Sequence, residues 1–177
     1  SNSGLISNSY SDVVVSGTNS NIGGISGYNV ATISNVYSKG STTGAYEVGG
    51  IVGRNVNGTI SNAYSQGSIS STNNVGGIIG CNQGTGTVNT SYSMLSISTG
   101  GPYSAGVSGG NEANATISGS YWDTIISGKP SCCGAGATGT CSCTSTSNQE
   151  SSYFGASGIP FSSLGWSTDD WTSVVDG

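Results

Sequence analysis

The 177-residue chain contains no histidine and few charged side chains of either sign. Without histidine it cannot form a Ser-His-Asp or Cys-His catalytic site, or bind zinc through imidazole. Three basic residues against eight acidic ones give a net charge of −5. We therefore expect no binding to nucleic acid, whose phosphates require basic patches, and none to anionic lipid. The sequence indicates no cofactor.

Long apolar runs are also absent, which argues against membrane insertion because a membrane-spanning helix needs about 18 or more consecutive apolar residues. The chain has no initiator methionine, and no signal peptide is recognisable at its start. We interpret it as a processed product or as a segment of a longer protein.

What the chain does contain is a repeat of 27 to 29 residues. The pattern Ile-Ser-Asn-x-Tyr begins at Ile6, Ile33 and Ile60, and looser copies begin at Val88 and Ile117. A second pattern, Val-Gly-Gly-Ile-x-Gly, occupies residues 48–53 and 75–80, with variants at 22–27 and 104–109. A fixed period of this length is typical of stacked repeat architectures.

Each repeat contains short alternating segments and none with helical periodicity. Ile60, Asn62 and Tyr64 are predicted to lie on one face of an extended segment, with Ser61 and Ala63 on the other. The sequence therefore predicts an all-β fold, a parallel β-solenoid (β-helix) of about five coils over residues 1–123. A loop-rich, disulfide-stapled segment over residues 124–177 is expected to cover or flank its end.

Equivalent residues of successive coils are expected to stack into ladders. An aromatic ladder is predicted for Tyr10, Tyr37, Tyr64, Tyr92 and Tyr121. An amide ladder is predicted for Asn29, Asn55, Asn82 and Asn111. We interpret both ladders as structural rather than as ligand sites. The N-terminal end has no recognisable cap, which predicts either a longer solenoid or another subunit stacked on it.

Four of the five cysteines lie within twelve residues, at Cys132, Cys133, Cys141 and Cys143. Their spacing lacks the paired knuckles of zinc sites and the C-x-x-C of redox sites. Two disulfides that join the first pair to the second are the preferred interpretation, and they favour an oxidising, extracellular setting.

Cys81 is the odd cysteine. It has the same position in its repeat as Tyr28 and Arg54, so we expect it to be exposed. It is then a free thiol, a covalent link to another subunit, or the partner of one cysteine of the cluster.

Other candidate sites are weaker. Asn57, Asn89 and Asn114 begin N-glycosylation sequons. No two acidic residues share a position on adjacent coils, and Asp169 and Asp170 fit a solvated turn better than a calcium site. The sequence therefore predicts no catalytic residue, no metal and no enzymatic activity.

These patterns resemble the GLUG repeat of large bacterial surface proteins. The resemblance rests on Gly-Gly-Ile-Val-Gly-x-Asn at 49–55, Thr-Ile-Ser-Asn-x-Tyr-Ser-x-Gly at 59–67, and an ending similar to that of GLUG arrays at 120–123 and 171–177. It implies a parallel β-solenoid of the kind found in filamentous adhesins, other exported surface proteins and non-catalytic parts of secreted peptidases. It supplies no catalytic residue.

We therefore expect an extracellular or cell-surface protein with a structural or adhesive role. It is either a segment of a fibrous adhesin, joined to the remainder of a longer surface protein, or a filament subunit that stacks head to tail. The alternative is a glycan-binding module that uses Tyr103, Trp122, Trp166 and Trp171, although the tryptophans fit a core role better.

Overall fold

The computed structural model describes residues 1–98 and 101–147 and confirms the predicted parallel β-solenoid of about five turns. The first coil comprises β1 (Leu5–Ser16), β2 (Ser20–Gly23) and β3 (Ser26–Asn29). The second comprises β4 (Thr32–Thr43), β5 (Tyr46–Gly49) and β6 (Val52–Val56). The third comprises β7 (Thr59–Ser70), β8 (Val75–Gly76) and β9 (Ile79–Gln83).

The later coils are less regular. In the fourth coil the long strand is split into β10 (Thr87–Asn89) and β11 (Tyr92–Ile97), and β12 (Ser104–Ala105) and β13 (Ser108–Asn111) follow. The fifth coil begins with β14 (Thr116–Asp123) and a single helical turn, α1 (Thr124–Ser127). β15 (Thr140–Thr146) starts one further turn.

Equivalent strands pair in parallel to form three sheets. The long sheet contains β1, β4, β7, β10, β11, β14 and β15, and the two short sheets are β2-β5-β8-β12 and β3-β6-β9-β13. The register keeps the repeats aligned, as in Tyr37 opposite Tyr64 and Asn55 opposite Asn82. We call each set of aligned positions a column. No helix among the described residues is long and apolar enough to cross a membrane.

The long strands bend at an asparagine, and this overturns one prediction. Asn62 has a left-handed backbone with φ of 49°, a conformation that asparagine tolerates better than most residues. The bend breaks the alternation, so that Ile60 and Ala63 both lie in the core, with no exposed surface. Ile60, Asn62 and Tyr64 therefore do not share a face, because Tyr64 packs in a separate cluster with Tyr92 and Met94.

The two glycines of each Val-Gly-Gly motif allow the tight corner between the short sheets. A Cβ on Gly49 would lie 2.0 Å from the carbonyl oxygen of Val52, and one on Gly50 would lie 2.2 Å from that of Gly77 in the next coil. Both contacts are with backbone atoms, so no larger residue fits without moving a strand.

Inside the corners the apolar columns form the main core, which includes Ile51, Ile78 and Val107 in one column and Ile33, Ile60 and Val88 in another. Each of these side chains is fully buried. Burying one isoleucine or valine contributes about 1.5–3 kcal/mol, and a single coil has no partner for its apolar side chains, so stability depends on stacking.

The solenoid continues past residue 123. β15 pairs with β14 in parallel from Thr116 opposite Thr140 to Asp123 opposite Thr146. Residues 131–146, which we call the final turn, therefore extend the same stack. Residues 148–177 of the predicted C-terminal segment lie outside the described residues.

Candidate functional site

The four clustered cysteines form two disulfides within the final turn, Cys132–Cys143 and Cys133–Cys141. The pairing joins the first two cysteines to the last two, as the spacing suggested. The sulfur atoms of Cys132, Cys133 and Cys141 lie within 4.8 Å of one another, a grouping that would also suit a soft metal if the thiols were reduced.

The cysteines occupy the columns that hold the apolar core in earlier coils. The amides of Ile78 and Ile79 both donate to the carbonyl of Val107, and the amides of Val107 and Ser108 both donate to the carbonyl of Cys132, each over 3.0 Å. Cys132 therefore continues the column of Val107.

The other three cysteines are aligned in the same way. Cys133 lies opposite Ser108, Cys141 opposite Ile117 and Cys143 opposite Ser120. The disulfides thus cross the interior of the final turn, where the upstream coils have packed side chains. Trp122 lies beside them in the same core, 5% exposed, and its indole nitrogen donates to the carbonyl of Lys129 over 2.8 Å. Its predicted role in glycan stacking is therefore wrong.

Sequence reasoning missed this alignment although a signal is present. Gly139-Thr140-Cys141-Ser142 repeats Gly58-Thr59-Ile60-Ser61 with cysteine in place of isoleucine. The shorter spacing of the final turn hides the match, because Cys141 follows Ile117 by 24 residues rather than 27 to 29.

The predicted amide column runs through the interior, between the long sheet and the short sheet β3-β6-β9-β13. It comprises Asn29, Asn55, Asn82 and Asn111. Each of the first three donates from Nδ2 to Oδ1 of the next, over 2.7 to 3.0 Å, and Asn2 adds a further step at the N-terminal end. Each of the four also donates to a nearby backbone carbonyl over 2.8 to 3.3 Å. Because these amides bond within the fold, the column stabilises stacking and offers nothing to a ligand.

Three of the five predicted tyrosines stack on one another. The rings of Tyr37 and Tyr64 lie 5.2 Å apart and those of Tyr64 and Tyr92 lie 5.8 Å apart, with interplanar angles of 11° and 5°. Tyr121 packs against the same cluster, whereas Tyr10 in the first coil is exposed. Burial raises the pKa of Tyr64 well above its usual value, so the phenol stays neutral.

Cys81 is free but buried, with 3% of its surface exposed. The expectation that it is exposed is wrong, because its short side chain packs towards Gly110 of the next coil, 3.3 Å from where a Cβ of that glycine would lie. It also takes no part in the cluster's disulfides. Burial, with the charges of Glu47 and Glu112, raises the pKa of the thiol to about 12. A buried neutral thiol is unreactive, which argues against an intersubunit disulfide.

A polar network on the outside joins two acidic residues that the repeat does not align. Arg54 forms an ion pair with Glu47 over 3.7 Å, and Gln83 accepts hydrogen bonds from Arg54 and donates to Glu112. Burial raises the pKa of Glu47, while Arg54 lowers it and Glu112 raises it further. The network was missed because Glu47 and Arg54 belong to different sheets, which the repeat pattern does not relate.

The first coil exposes apolar side chains at the end of the stack. β1 is an edge strand, and its exposed large apolar residues are Leu5, Tyr10, Val13 and Val14. Val14 lies in one column with Ser41, Ser68 and Ser96. In this column, therefore, the coils that lie between two other coils have serine, and the first coil has valine.

Two of the three sequon asparagines, Asn57 and Asn114, are exposed, and Asn89 is half-buried. Tyr103 is partly exposed beside a surface cavity. Trp166, Trp171, Asp169 and Asp170 lie outside the described residues.

Comparison with known proteins identifies one repeat. Residues 44–70 match the family model of the GLUG motif, a stretch that spans β5, β6 and β7. This confirms the resemblance to GLUG repeats, which occur in bacterial surface-type proteins. No curated protein and no solved structure matches the chain.

Proposed function

We propose that this protein is an extracellular structural subunit whose first coil stacks on the opposite end of a second copy. The resulting fibre serves as part of a cell-surface filament or adhesin. The disulfides and the GLUG repeat support the extracellular setting, because structural disulfides persist in oxidising compartments.

The observation that carries the proposal is the exposed apolar edge of β1. Tyr10 is 78% exposed on the first coil, whereas Tyr64 and Tyr92, which occupy the same column between two neighbouring coils, are 6% and 0% exposed. A further coil on β1 would cover the ring of Tyr10 in the same way. The adjacent unpaired backbone of β1 provides the hydrogen-bonding groups for a further parallel strand.

A second copy is the occupant that the geometry favours. Its described C-terminal end is β15, a parallel strand of the same long sheet, which would extend the ladder beyond β1. Such a contact joins two different surfaces and does not close, so it propagates into a filament. The low charge of the chain, 6% of residues, leaves little repulsion between the two ends.

The test compares Tyr10→Lys with Val14→Lys, since both place a lysine on the first coil. Only the first puts the charge in a column that a further coil would bury, because Ser68 remains exposed in the column of Val14. We expect the wild-type chain and Val14→Lys to form filaments in electron micrographs at high concentration. Tyr10→Lys should remain as discrete particles.

Discrete particles of wild-type protein at every concentration would contradict self-stacking. Filaments that Tyr10→Lys leaves intact would contradict the assignment of β1 as the contact.

A further inference from the structure

A groove runs along the outside of the solenoid between the two short sheets. It consists of two adjoining cavities of about 510 Å³ and 290 Å³ that share Asn73 and Asn74. The first cavity reaches Ser20 of the first coil, and the second reaches Glu112 after the fourth. Its size is in the range of small-molecule sites, and its length follows the stack.

Two partly exposed tyrosines line this groove. Tyr46 lies in the first cavity and Tyr103 in the second, with 51% and 44% of their surfaces exposed. They belong to the second and fourth coils, so they are separated by about 9–10 Å along the stack, two strand spacings. Rings placed in this way provide two apolar platforms beside polar groups.

Amide and charged side chains lie between and beside the tyrosines. Asn73 and Asn74 line both cavities, and the Glu47–Arg54 ion pair lines the first. Asn21 also lines the first cavity.

The backbone beside the first cavity is also constrained. Glu47 and Asn21 have left-handed backbones, with φ of 50° and 64°. For glutamate this conformation is unusual, and such strain is concentrated at functional sites. It holds Glu47 where its carboxylate meets Arg54.

From these features we propose that the groove binds an uncharged oligosaccharide that lies along the solenoid axis. The apolar C–H faces of sugar rings would stack on Tyr46 and Tyr103. The hydroxyl groups would bond to the amides of Asn73 and Asn74, which supply both donors and acceptors, and to the Glu47 carboxylate, which accepts.

Charge selects the neutral sugar over other ligands. The two carboxylates of the network outnumber its single cation, and Arg54 is already paired with Glu47 and Gln83. An anionic polysaccharide or nucleic acid would meet net negative charge here and on the whole chain. A metal ion would have to approach the Arg54 guanidinium, which repels it.

This inference is independent of the proposed stacking, since the groove lies on the side of the solenoid and the β1 edge lies at its end. Failure of filament formation would leave it intact. The two tests therefore report separately.

The experiment is affinity electrophoresis of the folded protein in native gels that contain a soluble neutral polysaccharide. We would use hydroxyethylcellulose, galactomannan and xylan in separate gels, with polygalacturonate as the anionic comparison. Retardation by at least one neutral polymer and none by polygalacturonate is the expected result. Isothermal titration with oligosaccharides of the active polymer then gives the dissociation constant.

Tyr46→Ala and Tyr103→Ala should each weaken binding about fivefold or more, in line with the energy of aromatic stacking. Tyr10→Ala is the matched control, because it removes an exposed tyrosine far from the groove and should leave the affinity unchanged. Asn74→Ala should weaken binding without affecting the melting temperature.

Absence of retardation by every neutral polymer would overturn the proposal. Binding that is equally strong in the Tyr46→Ala and Tyr103→Ala variants would place the sugar elsewhere and also overturn it.

Discussion

Breaking the two disulfides should release the final turn and leave the upstream coils folded. The turn contacts the rest of the solenoid through β14 and the fourth coil, and repeat proteins lose stability one unit at a time. Reduction, or serine at all four cysteines, is the perturbation.

The magnitude follows from the loops that the bonds close. Sequence separations of 11 and 8 residues give about 2.5 kcal/mol for each disulfide in the loop-entropy model. The loops are nested, so together they stabilise the turn by about 3–5 kcal/mol. The upstream columns retain their buried isoleucines and valines.

Hydrogen exchange followed by mass spectrometry measures the effect directly. Peptides that cover β15 should lose protection in the all-serine variant, whereas those that cover β4 and β7 should keep it. The intact mass of the native protein first establishes that two disulfides, rather than four thiols or a bound metal, are present.

A matched variant tests why the turn needs its cysteines. Copying the residues of the preceding coil gives Cys132→Val, Cys133→Ser, Cys141→Ile and Cys143→Ser, which differs from the all-serine variant at two core positions only. Valine and isoleucine should restore about 3 kcal/mol of the lost protection through burial. Full protection of β15 in the all-serine variant would refute the argument, as would loss of protection in every coil.

Two further predictions concern buried groups. Asn55→Ala removes the bonds to Asn29, Asn82 and Gly58 and should lower the free energy of unfolding in urea by about 3 kcal/mol or more. The control is Asn35→Gly, which removes the bonds of a half-buried asparagine to Asn8 and Asn62 and keeps the left-handed backbone. It should cost under about 1 kcal/mol, and equal losses would contradict the role of the buried column. Cys81, with a pKa raised to about 12, should resist iodoacetamide in the native protein at pH 8 and react after denaturation. Its neutral thiol stabilises the fold below the ordinary thiol pKa, and this contribution is lost as the pH rises from about 9 towards 12; rapid labelling of native protein would contradict the burial.

The period of the tyrosines was sufficient to predict the solenoid, because only stacked coils place Ile60, Val88 and Ile117 at matching depths. The bend at Asn62 was not predictable from alternation, since a left-handed residue changes which side chains point inward without changing the pattern of apolar residues. The inward position of Ala63 follows from that bend alone.

The candidate sites depend on contacts between columns, which a single repeat does not reveal. Arg54 forms its ion pair with Glu47 of another sheet. Cys81 is buried because Gly110 in the next coil has no side chain and leaves room for the thiol. The groove beside Tyr46 and Tyr103 lies between the two short sheets. The position of a residue in its repeat predicts its neighbours within a column, but it does not predict neighbours that belong to another sheet.

The two ends of the described solenoid differ, and the difference has a physical consequence. At one end disulfides and Trp122 replace the packing that a further coil would give. At the other end β1 exposes Val14 and the ring of Tyr10, and the column of Tyr10 is buried on the inner coils at Tyr64 and Tyr92. A stack with one covalently held end and one open apolar end has a direction. If copies join as proposed, every subunit must point the same way, and a growing fibre adds its next subunit to one kind of surface at each tip. Because the held end depends on disulfides, assembly should also require an oxidising environment.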